Sequence, residues 1–288
     1  MTSPDGPHWL QPLTELLRQP PRVQSLNTNT DLLWLNSDHD TITGNKPWKL
    51  HGHLSRLAHK PSALLSFGGP YSNHLHALAA CGQLLSLPTI AVVRGYADCA
   101  LTPTLADCQR MGMELVFVDR NTYRQRHEAD FLAQLQQRWS ATLIPEGGSG
   151  PHGVEGCVPL AQWCAGYEQV WLAAGTGTTA EGIVTGLPED TELVVVNVVA
   201  DQGELLRRWS AQVPGRWRIV DDMHGGGFGK IPTALRQLID RYDTQGIALD
   251  PVYTAKLLNA YEHYGEADKT TLLIHTGGLQ GRRGLSER

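Results

Sequence analysis

Parallel sheets covered by helices, an α/β fold in two lobes, are what the sequence predicts, and three observations predict it. Short apolar, β-branched-rich runs recur with helix-like segments between them, which is the pattern of βαβ crossovers. Glycine clusters fall at strand-to-helix and loop junctions, where backbone must turn with positive φ or approach a ligand. A length of 288 residues exceeds one small domain and suits two layered units of roughly 100–200 residues each.

In chain order, apolar runs predict strands over 32–35, 63–66 and 89–93, and then over 115–118 and 142–144. A second set follows at 169–173, 192–199, 217–220 and 271–274. Apolar residues at three- and four-residue spacing predict helices over 73–85, 104–112, 123–139 and 156–165 between these strands. The same spacing predicts further helices over 178–187, 203–212, 233–242 and 253–264. Pro47 reads as a helix start, since its fixed φ suits the first helical position.

Composition removes several classes of function. Twenty-four Lys and Arg against 29 Asp and Glu leave a formal charge of −5, so no basic surface is on offer to phosphate backbones or anionic lipid. Apolar residues at 41% with 18% charged support a sizeable core. Residues 1–12 carry Pro4, Asp5 and Pro7 without a basic start or apolar run, unlike a secretion signal. The longest apolar stretches, such as 193–200, fall far short of the roughly 20 residues that span a bilayer. The expectation is a soluble, cytoplasmic protein. Cys81, Cys99, Cys108, Cys157 and Cys164 include no CxxC pair, which argues for reduced thiols over a disulfide framework or zinc site.

Three segments carry chemistry. Gly175-Thr176-Gly177-Thr178-Thr179 follows a predicted strand and opens a helix, where free N–H groups, Thr hydroxyls and the helix dipole suit a phosphate. Gly175, Gly177 and Ala180 also satisfy a dinucleotide fingerprint, with Asp201 as the candidate ribose acid, and a tight structural turn is the third reading. Thr43-Gly44-Asn45-Lys46-Pro47-Trp48-Lys49 holds two lysines in a polar turn. A lysine beside a phosphate seat suggests pyridoxal phosphate, whose aldehyde condenses with an amine of depressed pKa. In Ser66-Phe67-Gly68-Gly69-Pro70-Tyr71-Ser72-Asn73-His74, Ser72 or Asn73 could simply cap a helix, or the turn could hold a substrate carboxylate. His74 and His76 point in different directions on a helix, so no metal site is expected of them.

Taken together, Gly44-Asn45-Lys46, Gly68-Gly69 with Ser72-Asn73-His74, and Pro145-Glu146-Gly147-Gly148-Ser149 precede the Gly175–Thr179 loop. Asp250-Pro251-Val252-Tyr253-Thr254 and His275-Thr276-Gly277-Gly278 follow it. Six motifs in this order, over residues 32–279, resemble the 1-aminocyclopropane-1-carboxylate deaminase and D-cysteine desulfhydrase family. That resemblance implies fold type II of the pyridoxal-phosphate enzymes, like the tryptophan synthase β chain, with the cofactor between two domains. Residues 1–52 with 141–288 would form the larger domain, 53–140 the smaller, and the protein would be a homodimer acting on a small amino acid.

The resemblance also implies roles. Lys46 matches the lysine that binds the cofactor, Asn73 the contact to its ring hydroxyl, and Gly175, Thr176, Gly177, Thr178 and Thr179 the phosphate loop. Ser72, with Asn73 and His74, matches the substrate-carboxylate turn. Tyr253 matches an active-site tyrosine and Thr254 the partner of the ring nitrogen. A hydroxyl in place of a carboxylate at Thr254 leaves the ring a weaker electron sink, which favours simple β-elimination, giving a keto acid and ammonia, over the cyclopropane opening of the deaminase branch. Two departures stand out: Asn36-Ser37-Asp38 replaces an Arg-Asp, and Phe228-Gly229 replaces a Tyr-Gly at the substrate loop. The competing readings are a 1-aminocyclopropane-1-carboxylate deaminase, a nicotinamide-dependent oxidoreductase using the Gly175 loop, and a non-catalytic relative that retains the cofactor.

Overall fold

Helix α1 (Gln11–Leu17) leads to strands β1 (Arg22–Asn27) and β2 (Thr30–Trp34), then α2 (Lys46–Leu54), in a computed structural model that describes residues 6–35, 39–98 and 100–284. Asn36, Ser37, Asp38 and Cys99 lie outside the described residues. Next come β3 (Leu64–Gly68), α3 (Asn73–Leu85), β4 (Thr89–Arg94), α4 (Pro103–Arg110), β5 (Met113–Val118), α5 (Arg120–Arg124), α6 (Ala129–Trp139) and β6 (Thr142–Leu143). The chain continues through α7 (Pro151–Cys157), β7 (Gln169–Ala174), α8 (Thr178–Gly186), β8 (Glu192–Asn197) and α9 (Glu204–Gln212). It ends with β9 (Trp217–Val220), α10 (Thr233–Thr244), α11 (Thr254–Tyr264) and β10 (Thr271–His275).

The strands form two sheets, one of six in the order β1-β2-β10-β7-β8-β9 and one of four in the order β5-β4-β3-β6. All pairings are parallel except that of β1 with β2. The central strands β3, β7 and β10 are buried along their whole length, as a parallel strand covered on both faces must be.

Every predicted strand forms, with ends shifted by two residues at most. Strand β1 was not predicted, because its exposed positions dilute the apolar signal to Val23 and Leu26 at the sheet edge. Helix α1 was also missed, although Leu10, Leu13 and Leu17 repeat at helical spacing and are buried. Two predicted helices need correction. The span 123–139 is broken by Glu128, whose extended backbone separates α5 and its following turn from α6. The helix expected over 156–165 begins earlier, at Pro151, and gives way to a 3₁₀ segment from Val158, where Pro159 has no N–H to continue the α-helical ladder.

Three helices meet through glycines. A Cβ on Gly52 of α2 would lie 2.0 Å from the His152 carbonyl, and one on Gly156 of α7 would lie 2.2 Å from that of Trp48. A Cβ on Gly182 of α8 would lie 2.5 Å from the Val154 carbonyl. Helix α7 therefore touches α2 and α8 backbone to backbone. This sets the lysine-bearing start of α2 against the start of α8, and Asn45 Nδ2 donates to Thr179 Oγ1 at 2.7 Å.

Candidate active site

A cleft of about 1330 Å³ opens at the C-terminal ends of β3, β6 and β7, with walls contributed by both sheets. That end of a parallel sheet is where loops and helix N-termini leave unpaired N–H groups. Lys46, Ser72, Asn73, His74, Gly175 through Thr179, Phe228 and Tyr253 all line it. Of the cofactor and substrate positions that the family resemblance implies, Thr254 alone is not part of this lining.

Lys46 is the first residue of α2. Gly44, at φ +76°, permits the turn before it: a Cβ there would lie 2.2 Å from the Thr276 carbonyl oxygen, which instead accepts the Asn45 N–H at 3.1 Å. Burial, followed by the neighbouring Lys49 ammonium, pulls the Lys46 amine well below its usual pKa. Lys49, one turn further on and buried, is lowered chiefly by burial as well. Two lysines enclosed together disfavour double protonation, which leaves an amine able to act as nucleophile or base near neutral pH.

Gly177 precedes α8 in the left-handed conformation, and no side chain caps that helix. Its first N–H groups therefore remain open beside the hydroxyls of Thr176 and Thr178, which lie 3.0 Å apart. A Cβ on Gly177 would lie 2.9 Å from Leu205, and one on Gly175 would lie 3.6 Å from the Tyr253 hydroxyl, so bare backbone keeps this turn low.

On the opposite wall, Ser72 caps α3 and accepts the Leu75 N–H at 3.2 Å. Asn73 Oδ1 accepts from Gln280 Nε2 at 2.8 Å. His74 is buried, and its Nε2 donates to Ser66 Oγ at 2.8 Å, since that hydroxyl in turn donates to the Ile144 carbonyl at 2.8 Å. This leaves His74 Nδ1 as a buried acceptor without a hydrogen-bond partner among the described residues. Burial and then the Lys46 and Lys49 ammonium groups lower the His74 pKa, keeping the ring neutral.

Asp250, fully buried, accepts the N–H groups of Val252 and Tyr253 at 3.1 and 2.5 Å and so holds the start of α11. Burial raises its carboxyl to about 7. Phe228 is exposed at the rim, its ring 5.9 Å from that of Tyr253 in an edge-on contact. Buried Lys256 donates to the Gly227 carbonyl at 2.8 Å and anchors the glycine turn that presents Phe228.

These features fit pyridoxal phosphate. An open, threonine-bearing helix start suits its ester oxygens, an enclosed amine suits its aldehyde, and the buried Thr254 hydroxyl has no hydrogen-bond partner among the described residues. A dinucleotide fits less well. Asp201 accepts from Asn197 at 3.0 Å and from the N–H groups of Gly203 and Leu205 at 3.1 and 3.0 Å, which commits it to capping α9. Sequence reasoning assigned no role to Asp250, Gln280 or Lys256. Only their tertiary contacts beside the site distinguish them, and nothing in local spacing reports those.

No family model matches the chain. It is 29% identical over 270 residues to a Pyrococcus horikoshii protein named "Putative 1-aminocyclopropane-1-carboxylate deaminase", covering 83% of this chain and 81% of that one. A protein of the same name from Thermotoga maritima is 27% identical, over 85% and 87% of the two chains. Among solved structures, an "ACC deaminase homologue" superposes with a TM-score of 0.77 at 24% identity, covering 99% of this chain and 98% of the other. Over most of its length the chain is thus similar to proteins named as 1-aminocyclopropane-1-carboxylate deaminases, the kind of relative its six motifs imply, and it has the type II fold of the pyridoxal-phosphate enzymes.

Proposed function

We propose that this protein is a pyridoxal-phosphate-dependent lyase that deaminates a small amino acid by β-elimination, in the manner of a D-cysteine desulfhydrase. One observation carries the reading: the Lys46 amine, enclosed and weakened as a base, shares one cleft with the open Gly175–Thr179 helix start. Resemblance to proteins named as deaminases agrees with it.

In this reading the N–H groups and hydroxyls from Gly175 to Thr179 hold the phosphate, Asn73 meets the ring hydroxyl, and Thr254 meets the ring nitrogen. The cofactor, when bound, supplies the electron sink for charge that develops at the substrate Cα. Lys46 would hold the cofactor through Nζ, and the same nitrogen, kept unprotonated by its depressed pKa, would accept the Cα proton. The open turn at Ser72 and Asn73 seats the substrate carboxylate against the positive end of α3. Tyr253, whose hydroxyl burial raises in pKa, remains protonated and serves as a hydrogen-bond donor. The neutral Thr254 in place of an acid points to elimination of a thiol or similar group. The same reading makes the protein a cytoplasmic homodimer.

The absorption spectrum of the purified protein, before and after D-cysteine, tests the proposal. A visible cofactor band that borohydride fixes on Lys46, that Lys46→Ala abolishes, and that D-cysteine shifts with release of sulfide and pyruvate is the expected result. An unchanged band in Lys46→Ala would overturn it. 1-Aminocyclopropane-1-carboxylate in the same assay decides between the two branches.

A further inference from the structure

The cleft wall beyond the cofactor seat is basic in a way the proposed chemistry does not use. Arg94 ends β4, Arg120 and Arg124 lie on α5, Arg126 follows it, and all four line the cleft. Only one carboxylate answers them. Glu146 accepts from Arg126 Nε at 2.7 Å and from the Tyr123 hydroxyl at 2.7 Å. The guanidinium groups of Arg94 and Arg126 lie over the Tyr123 ring, 5.9 and 4.9 Å from its centre, so Glu146 and Tyr123 form a platform that positions them. Among the described residues, no carboxylate pairs with Arg94, Arg120 or Arg124. In a chain of net charge −5, this is a local concentration of cation.

Its position relative to the reacting groups is also constrained. A Cβ on Gly69 would lie 3.9 Å from Arg94 Nη2, which sets that guanidinium beside the turn leading into Ser72. A single α-carboxylate at Ser72 cannot satisfy three further guanidinium groups. The cleft, at about 1330 Å³, exceeds the roughly 300–1000 Å³ usual for small-molecule sites and has room beyond a cofactor and a three-carbon amino acid.

We propose that the cleft takes an amino acid whose side chain ends in a second anion, a carboxylate or a phosphate monoester, seated against Arg94 with Arg120 and Arg124 at the rim. Guanidinium forks match both groups with paired, charge-assisted hydrogen bonds. This inference rests on the reading of the cleft as an amino-acid site.

Calorimetric titration of the holoenzyme with serine, aspartate and O-phosphoserine, each as both enantiomers and at low and high salt, tests it, with the cofactor band recorded in parallel. At least one acidic ligand is expected to bind about tenfold or more tightly than serine, with an advantage that shrinks in salt. In Arg94→Gln, and further in the Arg94→Gln/Arg124→Gln double variant, the advantage should fall towards one while serine affinity stays unchanged. Aspartate against O-phosphoserine identifies which anion is preferred. Equal binding of charged and uncharged ligands, or an advantage that survives in the double variant, overturns the inference and leaves the amino-acid reading intact. If no amino acid, charged or neutral, perturbs the cofactor band, the amino-acid reading itself fails and this inference falls with it.

Discussion

Gln280 Nε2 donates to Asn73 Oδ1 at 2.8 Å, joining the last turn of the described chain to the start of α3 across 207 positions. The contact holds the Asn73 amide with its oxygen towards Gln280. Its Nδ2 is hemmed from another side by Gly278, where a Cβ would lie 2.6 Å away. A side chain held by neighbours of such distant origin is pre-organised for whatever it contacts in the cleft.

Replacing Gln280 with Leu should therefore free the Asn73 amide while preserving bulk. Loss of one such hydrogen bond costs about 1 kcal/mol. Cofactor affinity, measured by titrating pyridoxal phosphate into the apo form and following absorption, should weaken about five- to tenfold, with the band maximum displaced. Wild-type affinity and spectrum in Gln280→Leu would show that Asn73 needs no such support.

Gly44 offers a sharper test of how Lys46 is presented. At φ +76°, with a Cβ that would lie 2.2 Å from the Thr276 carbonyl oxygen and 2.8 Å from the Gly277 Cα, Gly44→Ala meets backbone that no rotamer change can relieve. A destabilisation of about 2–4 kcal/mol is expected. Thermal denaturation of the apo form reads the stability loss, and borohydride trapping reports whether the lysine still reaches the cofactor.

Thr254→Val separates the two uses of a buried hydroxyl. In the cofactor-free fold its Oγ1 has no hydrogen-bond partner among the described residues, so a volume-matched apolar replacement should leave apo stability unchanged or raise it by up to about 1 kcal/mol. If that hydroxyl serves the ring nitrogen, the same variant should shift the holoenzyme band and lower kcat. A marked loss of apo stability, measured by urea denaturation, would contradict the unpartnered geometry.

Acid should act on the fold through two buried groups of opposite sign. His275 is buried, stacks at 4.2 Å on Trp34, donates from Nε2 to the Ala248 carbonyl and accepts the Gly277 N–H on Nδ1. Burial lowers its pKa to about 4, below the ordinary imidazole value of about 6.5. Between these values the unfolded chain binds a proton that the folded one refuses, so stability falls as pH drops from 6.5 towards 4, by about 3 kcal/mol from this residue. Buried Asp250 works in the opposite sense: its carboxyl, raised to about 7, holds a proton in the folded state that the unfolded chain has lost above about pH 4. Urea denaturation of the wild type and of His275→Gln at pH 7, 5.5 and 4.5 separates the two: the variant should gain stability relative to the wild type as the pH falls, and a difference that does not change with pH would refute the histidine contribution.

Much of the site is local in sequence and was legible there. Lys46, the Ser72–Asn73 turn and the Gly175–Thr179 loop each consist of contiguous residues whose turn chemistry announces an open helix start or a free amine. The strands were legible for a related reason: burial on both faces of a parallel sheet forces an unbroken apolar run. Where burial is one-sided or the period breaks, as at β1 and at Glu128, the pattern loses its signal.

The sequence by itself thus determined the α/β class, the order of strands β2 to β10 along the chain and several of the residues that face the cleft, among them Lys46, Ser72 and the Gly175–Thr179 loop. Tertiary structure alone decided which distant groups meet there. It set Gln280 on Asn73, Lys256 under Gly227, Asp201 on the cap of α9, and four arginines in the lining of one cleft, with Arg126 on Glu146. Hydrogen bonds and charges act over a few ångströms of space whatever the separation along the chain, so no local period encodes them.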